Sequence, residues 1–218
     1  MTATIRNGTM ELIDRTRVVP VIVIDDPERG PDTASALAAG GIPCGEITLR
    51  TPAALAAIER IASRHPEFVI GAGTVLTEED VDAAVDAGAR FIVTPGFDES
   101  VVHRAMELSV PIVPGVATAT EIQRALKKGL SRVKLFPAGA LGGVGVVQAF
   151  TGPFPDLRFL PSGGVSLANA EEYLREPSVF AISGSWMASR AMIRDRAFAE
   201  IEAASRAIAV RAERRNGR

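Results

Sequence analysis

Short apolar runs recur roughly every 20 to 27 residues along this chain, each followed by a segment of helical spacing, as expected of parallel βα units. No other feature constrains the fold as strongly. Eight runs are legible, at residues 18–24, 44–50, 68–75, 91–96, 111–116, 132–138, 158–164 and 180–185. The segments between them carry helix signals. Thr51-Pro52 places a capping hydroxyl before a proline, ahead of Leu55, Ile58 and Ile61. Thr77-Glu78-Glu79-Asp80 has the form of a capping box, and Gly88 and Gly129 stand where helices should stop. Eight units predict an α/β fold, a closed (β/α)8 TIM barrel at the small end of its size range, with a short extra N-terminal helix near residues 10–15. An open doubly wound sheet is the rival arrangement. At 218 residues and 47% hydrophobic, with no Ser/Gly linker, the chain is expected to form one domain over residues 1–218.

Lys134 interrupts one of these runs. In a strand over 132–138, Val133 and Leu135 share one face and Lys134 and Phe136 the other. If the apolar pair packs outward on helices, the amine points into a second, enclosed interior. Loss of hydration there disfavours its charged form, and a neutral amine attacks carbonyls. A lysine paired with a buried carboxylate for structure alone fits the same pattern.

In a barrel, chemistry gathers at the C-terminal ends of the strands. Glu46, Thr48 and Arg50 alternate with apolar residues, so their polar face would line the interior. A layer of Glu46, Arg50, Thr74 and Lys134 would surround one small polar cavity, although a register-fixing ion network is the structural alternative. Ser162-Gly163-Gly164 and Ser183-Gly184-Ser185 end the seventh and eighth strands, where loops of this fold commonly expose amide groups to phosphate. Gly139 to Gly145 lacks the spacing and acidic partner of a dinucleotide loop and reads as a loose helix start.

Composition narrows the function classes. The formal net charge is -2, without a basic stripe, and one Trp and one Tyr supply little base stacking, so no nucleic-acid partner is expected. Arg211, Arg214, Arg215 and Arg218 read as a solvated tail. No run approaches a membrane span, and cytoplasmic residence is the default expectation. Cys44 excludes an internal disulfide and reads as a small buried residue, while His65 and His103 read as surface residues. Two separated histidines do not make a cluster of imidazole metal ligands, so no metal is expected, and no motif here calls for a cofactor.

Together these motifs resemble the bacterial 2-keto-3-deoxy-6-phosphogluconate (KDPG) aldolases, a class I family that includes 4-hydroxy-2-oxoglutarate (KHG) aldolase activity. The likeness is carried in order by residues 18–22, 45–51, 71–75, 134–138, 152–154 and 163–164. It implies Lys134 as the Schiff-base lysine and Glu46 as general acid/base. It also implies Arg50 and Thr74 as holders of the substrate carboxylate, Pro95 and Phe136 as pocket walls, and Gly163, Gly164, Gly184 and Ser185 as phosphate ligands. The partners it implies are a phosphorylated 2-oxo acid and pyruvate, in a homotrimer. Two positions depart from the family pattern: Ser162 stands where threonine is frequent, and Gly139 where an acidic residue is common. On this reading the chain cleaves KDPG to pyruvate and glyceraldehyde 3-phosphate. A phosphosugar isomerase or epimerase using Glu46 without a covalent lysine, and a noncatalytic binding protein, are the alternatives.

Overall fold

The computed structural model describes residues 3–213. Helix α1 (Ala3–Thr16) comes first, longer than the sequence suggests, and is followed by β1 (Val18–Ile22). Strand and helix then alternate as α2 (Gly30–Ala39), β2 (Cys44–Thr48), α3 (Ala54–Arg64), β3 (Val69–Gly73), α4 (Glu78–Asp86), β4 (Ile92–Val93) and α5 (Glu99–Glu107). The fifth run is divided into β5 (Ile112–Val113) and β6 (Gly115–Val116), and α6 (Ala119–Lys127) follows. The remainder comprises β7 (Arg132–Leu135), α7 (Val144–Thr151), β8 (Arg158–Pro161), α8 (Ala170–Arg175), β9 (Ile182–Gly184), α9 (Arg190–Arg194) and α10 (Phe198–Glu213). Every apolar run contains strand, shorter than the run itself. Arg214, Arg215 and Arg218 lie outside the described residues.

All strand pairs are parallel. Six strands form one sheet in the order β5-β4-β3-β2-β1-β9, and β6-β7-β8 form a second. The first five run in strict sequence order with the last strand beside the first. A doubly wound sheet would instead reverse its order at an interior strand. The division of the fifth run falls at Pro114, which has no N–H to donate to a ladder. Residues before it pair with β4 and residues after it with β7, while the Pro114 carbonyl accepts from the Lys134 amide at 2.8 Å. At the other seam Phe159 bridges Val179, and the Phe180 amide donates to the Phe159 carbonyl at 3.1 Å.

Local chemistry explains most element ends. Thr77 and Asp80 form the full capping box of α4, and Thr118 and Glu121 form another on α6. Thr51 does not cap α3, which starts at Ala54 without a side-chain cap. Its hydroxyl donates instead to the Ile24 carbonyl at 2.5 Å, tying the segment after β2 to that after β1. Gly88 and Gly129 end α4 and α6 with φ of +98° and +77°, values at which a Cβ is strained. Helix α1 sits at the N-terminal end of the strands, where Asp14 pairs with Arg132 at the start of β7. Among the described residues, no helix is long and apolar enough to cross a membrane.

Candidate active site

The period-two pattern of β7 separates its side chains as expected. Val133 and Leu135 are fully buried in the hydrophobic core, whereas Lys134 reaches a carboxylate from across the interior. That carboxylate is Glu46 on β2, wholly buried, with Oε1 3.5 Å from Lys134 Nζ. The amine also lies 5.3 Å from the centre of the Phe136 ring, two residues along the same face. Burying an ion pair costs several kcal/mol per ion, about 3–5 kcal/mol being the penalty when one partner is removed. Glu46 adds to that cost, because its Oε2 is buried and makes no hydrogen bond. An acceptor of this kind is available to a substrate.

Two glycines make room for the pair. Glu46 stands opposite Gly71 in the β2–β3 ladder, yet a Cβ on Gly73, two residues nearer the C-terminal end, would lie 2.4 Å from Oε2. The carboxylate therefore leans toward the mouth of the strands, over a position only glycine leaves open. Lys134 stands opposite Gly115, where a Cβ would lie 2.3 Å from the Pro95 carbonyl carbon and oxygen. Thr94 fixes this turn by donating to the Gly96 carbonyl at 2.6 Å and accepting from the Gly115 amide at 3.1 Å. Pro95 is thereby held beside the residue that neighbours the lysine.

At the rim, Arg50 donates from Nε to Thr74 Oγ1 at 3.1 Å. Arg50 lies past the end of β2 and is exposed, so it joins Thr74 above the Glu46–Lys134 layer rather than within it. Thr74 has φ of +57°, uncommon for a β-branched residue and costing of order 1–3 kcal/mol, a strain that collects at functional sites. Occupation of Nε orients the guanidinium, whose planar fork suits a carboxylate.

The loop after β7 is stitched to the loop after β8. The Ser162 amide donates to the Leu135 carbonyl at 3.0 Å and its carbonyl accepts from Ala138 at 2.8 Å, while Gly139 donates to the Gly163 carbonyl at 2.8 Å. Gly163 and Gly164 have φ of +80° and +85°, and a Cβ on Gly163 would lie 3.0 Å from the Phe136 ring. A Cβ on Gly139 would lie 3.2 Å from the Gly164 Cα, so a side chain there would press on the glycine pair. Gly184 is buried beneath Trp186 and Ser185 is exposed, both at the end of β9. Lys134, Glu46, Phe136 and Gly163 are thus joined by direct contacts, as are Arg50 and Thr74. Gly184 ends β9 and Ser185 follows it; β9 packs beside β8, the strand that leads into Gly163 and Gly164.

One buried polar residue was not expected at the site. The Ser183 hydroxyl, fully enclosed on β9, donates to Glu46 Oε1 at 3.5 Å. Ser183 lies within β9 whereas Ser185 lies past its end, and the reach of Ser183 to β2 cannot be read from spacing. Cys44 is buried and carries no site role; loss of hydration pushes its thiol up to about 12.

Several known proteins similar to this chain share one family. A family model described as KDPG and KHG aldolase matches residues 10–204. The 2-dehydro-3-deoxy-phosphogluconate aldolase of Pseudomonas aeruginosa is 46% identical over 195 residues, 89% of each chain. The KHG/KDPG aldolase of Escherichia coli is 45% identical over 170 residues, 78% of this chain and 80% of that one. Among solved structures, the KDPG aldolase of Legionella pneumophila, with pyruvate captured at low pH as a covalent carbinolamine, superposes with a TM-score of 0.89. It shares 38% identity, over 92% of this chain and 97% of that chain.

Proposed function

The chain belongs to the KDPG and KHG aldolase family, and we propose that it is a class I aldolase reversibly cleaving KDPG to pyruvate and glyceraldehyde 3-phosphate. The observation that carries this reading is the enclosed Lys134 amine, 3.5 Å from a Glu46 carboxylate with one oxygen unpartnered. Passage of a proton from Nζ to Glu46 frees the amine to attack C2 of the substrate. Glu46 returns that proton to the carbinolamine hydroxyl, which leaves as water to give an iminium and restores the carboxylate; the iminium accepts the electron pair released as C3–C4 breaks. Glu46 takes the C4 hydroxyl proton, the aldehyde leaves, and protonation of the enamine at C3 precedes hydrolysis to pyruvate. Positioned proton transfer of this kind typically contributes about 10² to 10⁴ in rate.

Arg50, oriented by Thr74, holds the substrate carboxylate at the rim, while Pro95 and Phe136 wall the pocket beside Lys134. Ser162 braces the turn that carries Gly163 and Gly164. With Gly184 and Ser185, these glycines receive the phosphate at the far end of the substrate. The two sheets, meeting at Pro114 and at the Phe159–Val179 bridge, are read as one closed (β/α)8 barrel and a single domain. No cofactor enters this chemistry. A homotrimer in the cytoplasm is the assembly and setting that the family resemblance supports.

Cleavage with coupled detection of pyruvate tests the proposal. KDPG should release pyruvate, and its kcat/KM should exceed that of 4-hydroxy-2-oxoglutarate by about tenfold or more, since the latter lacks a phosphate for the glycine loops. Epimerisation or isomerisation without pyruvate would favour the noncovalent use of Glu46, and binding without turnover would favour a binding protein.

A further inference from the structure

Glu46 is held asymmetrically. Its Oε1 faces two donors, Lys134 Nζ from β7 and Ser183 Oγ from β9, each at 3.5 Å, whereas Oε2 is buried without a partner. Strand β1 lies between β2 and β9, so the serine contact crosses two strand spacings, about 10 Å of interior. Ser183 is itself locked in the β1–β9 ladder opposite Val19 and is fully buried, which leaves its hydroxyl little freedom except rotation. Oε2 lies over Gly73, beside the Thr74 that receives Arg50. The two oxygens therefore have different surroundings: one faces two donors, the other lies over Gly73 on the side of the rim.

We infer that Ser183 is a positioning residue that pins Glu46 through Oε1, leaving Oε2 as the oxygen that carries the proton. This rests on the Schiff-base reading above and assigns a division of labour within it. In the cleavage direction the proton of the C4 hydroxyl moves to Oε2 as C3–C4 breaks and its electron pair enters the iminium. The same proton then passes from Oε2 to C3 of the enamine, so the carboxylate is restored and nothing else is consumed. A carboxylate free to turn about its last bond would present either oxygen and lose alignment with C3 and C4. The 3.5 Å separation is longer than the about 2.5–3.0 Å of an ordinary O–H···O bond, and catalytic contacts of this kind commonly tighten once substrate is bound.

The test separates imine formation from proton transfer in the full-length protein. Borohydride trapping with pyruvate reports the imine, and exchange of the pyruvate methyl hydrogens with D2O reports protonation at C3. For Ser183→Ala, trapping should stay within about twofold of the unsubstituted protein, while exchange and kcat fall about tenfold with KM little changed. Recovery of exchange in Ser183→Thr, which restores the hydroxyl, would support the role. Exchange at the unsubstituted rate in Ser183→Ala would overturn it, as would equal loss of trapping and exchange, which is what simple loosening of the barrel produces. Absence of trapping in the unsubstituted protein would instead overturn the Schiff-base reading itself.

Discussion

Lys134 and Cys44 are both buried on strands of this fold, and their neighbours assign them opposite chemistries. Cys44 donates to the Val18 carbonyl at 3.4 Å, has Thr16 beside it and otherwise packs in the apolar core; burial outweighs the Thr16 hydrogen bond and pushes its thiol up to about 12, so it stays protonated and inert. Lys134 meets a carboxylate. The thiol gives a residue-scale prediction. Cys44 should resist alkylation in the native protein at pH near its ordinary value of 9.0 and react once the chain unfolds. Because its folded value is raised, its contribution to stability is fully present below about 9 and is lost as pH rises toward about 12. Thermal melts of Cys44→Ala against the parent should show that part of the alkaline decline removed; an unchanged decline would contradict the assignment. Strand alternation, with the apolar faces packed outward, placed Lys134 and Glu46 inside, and residue type placed Cys44 there. It did not reveal Ser183, because a serine beside a glycine reads as loop, and its carboxylate partner is 137 residues away.

At the scale of elements, local signals were legible where a side chain acts on its own backbone. The Thr77 capping box and the glycine stops are of this kind. Thr51 was misread because its hydroxyl serves a carbonyl 27 residues earlier, a tertiary bond that overrides the local pattern. The split at Pro114 was likewise hidden within an unbroken apolar run. Two substitutions separate these classes by denaturant or thermal melts. Thr77→Ala should cost about 1 kcal/mol, lowering Tm by about 2–4 °C. Gly115→Ala should cost at least about 1–3 kcal/mol, because the new Cβ would fall 2.3 Å from Pro95 backbone atoms, and it should also lower kcat by displacing the wall beside Lys134. Equal, small effects from both would contradict the close approach of these strands.

In the molecule as a whole, strand ends far apart in sequence deliver one layer of groups: Glu46 from β2, Lys134 from β7 and Ser183 from β9, with Arg50 and Thr74 above them. The βα rhythm made the architecture legible, since each unit must bury one face against the next. The depth of each polar residue was not legible, because Arg50 lies at the rim and Glu46 beneath it only once the strand ends are fixed. All of this turns on whether the buried amine forms an imine with pyruvate. Incubating the protein with pyruvate and borohydride, then mapping the modified peptide by mass spectrometry, tests it most directly. One reduced pyruvate adduct is expected, on Lys134, with loss of cleavage in proportion to labelling. Undiminished cleavage of KDPG after Lys134 has been labelled, or labelling at another residue in its place, would refute it.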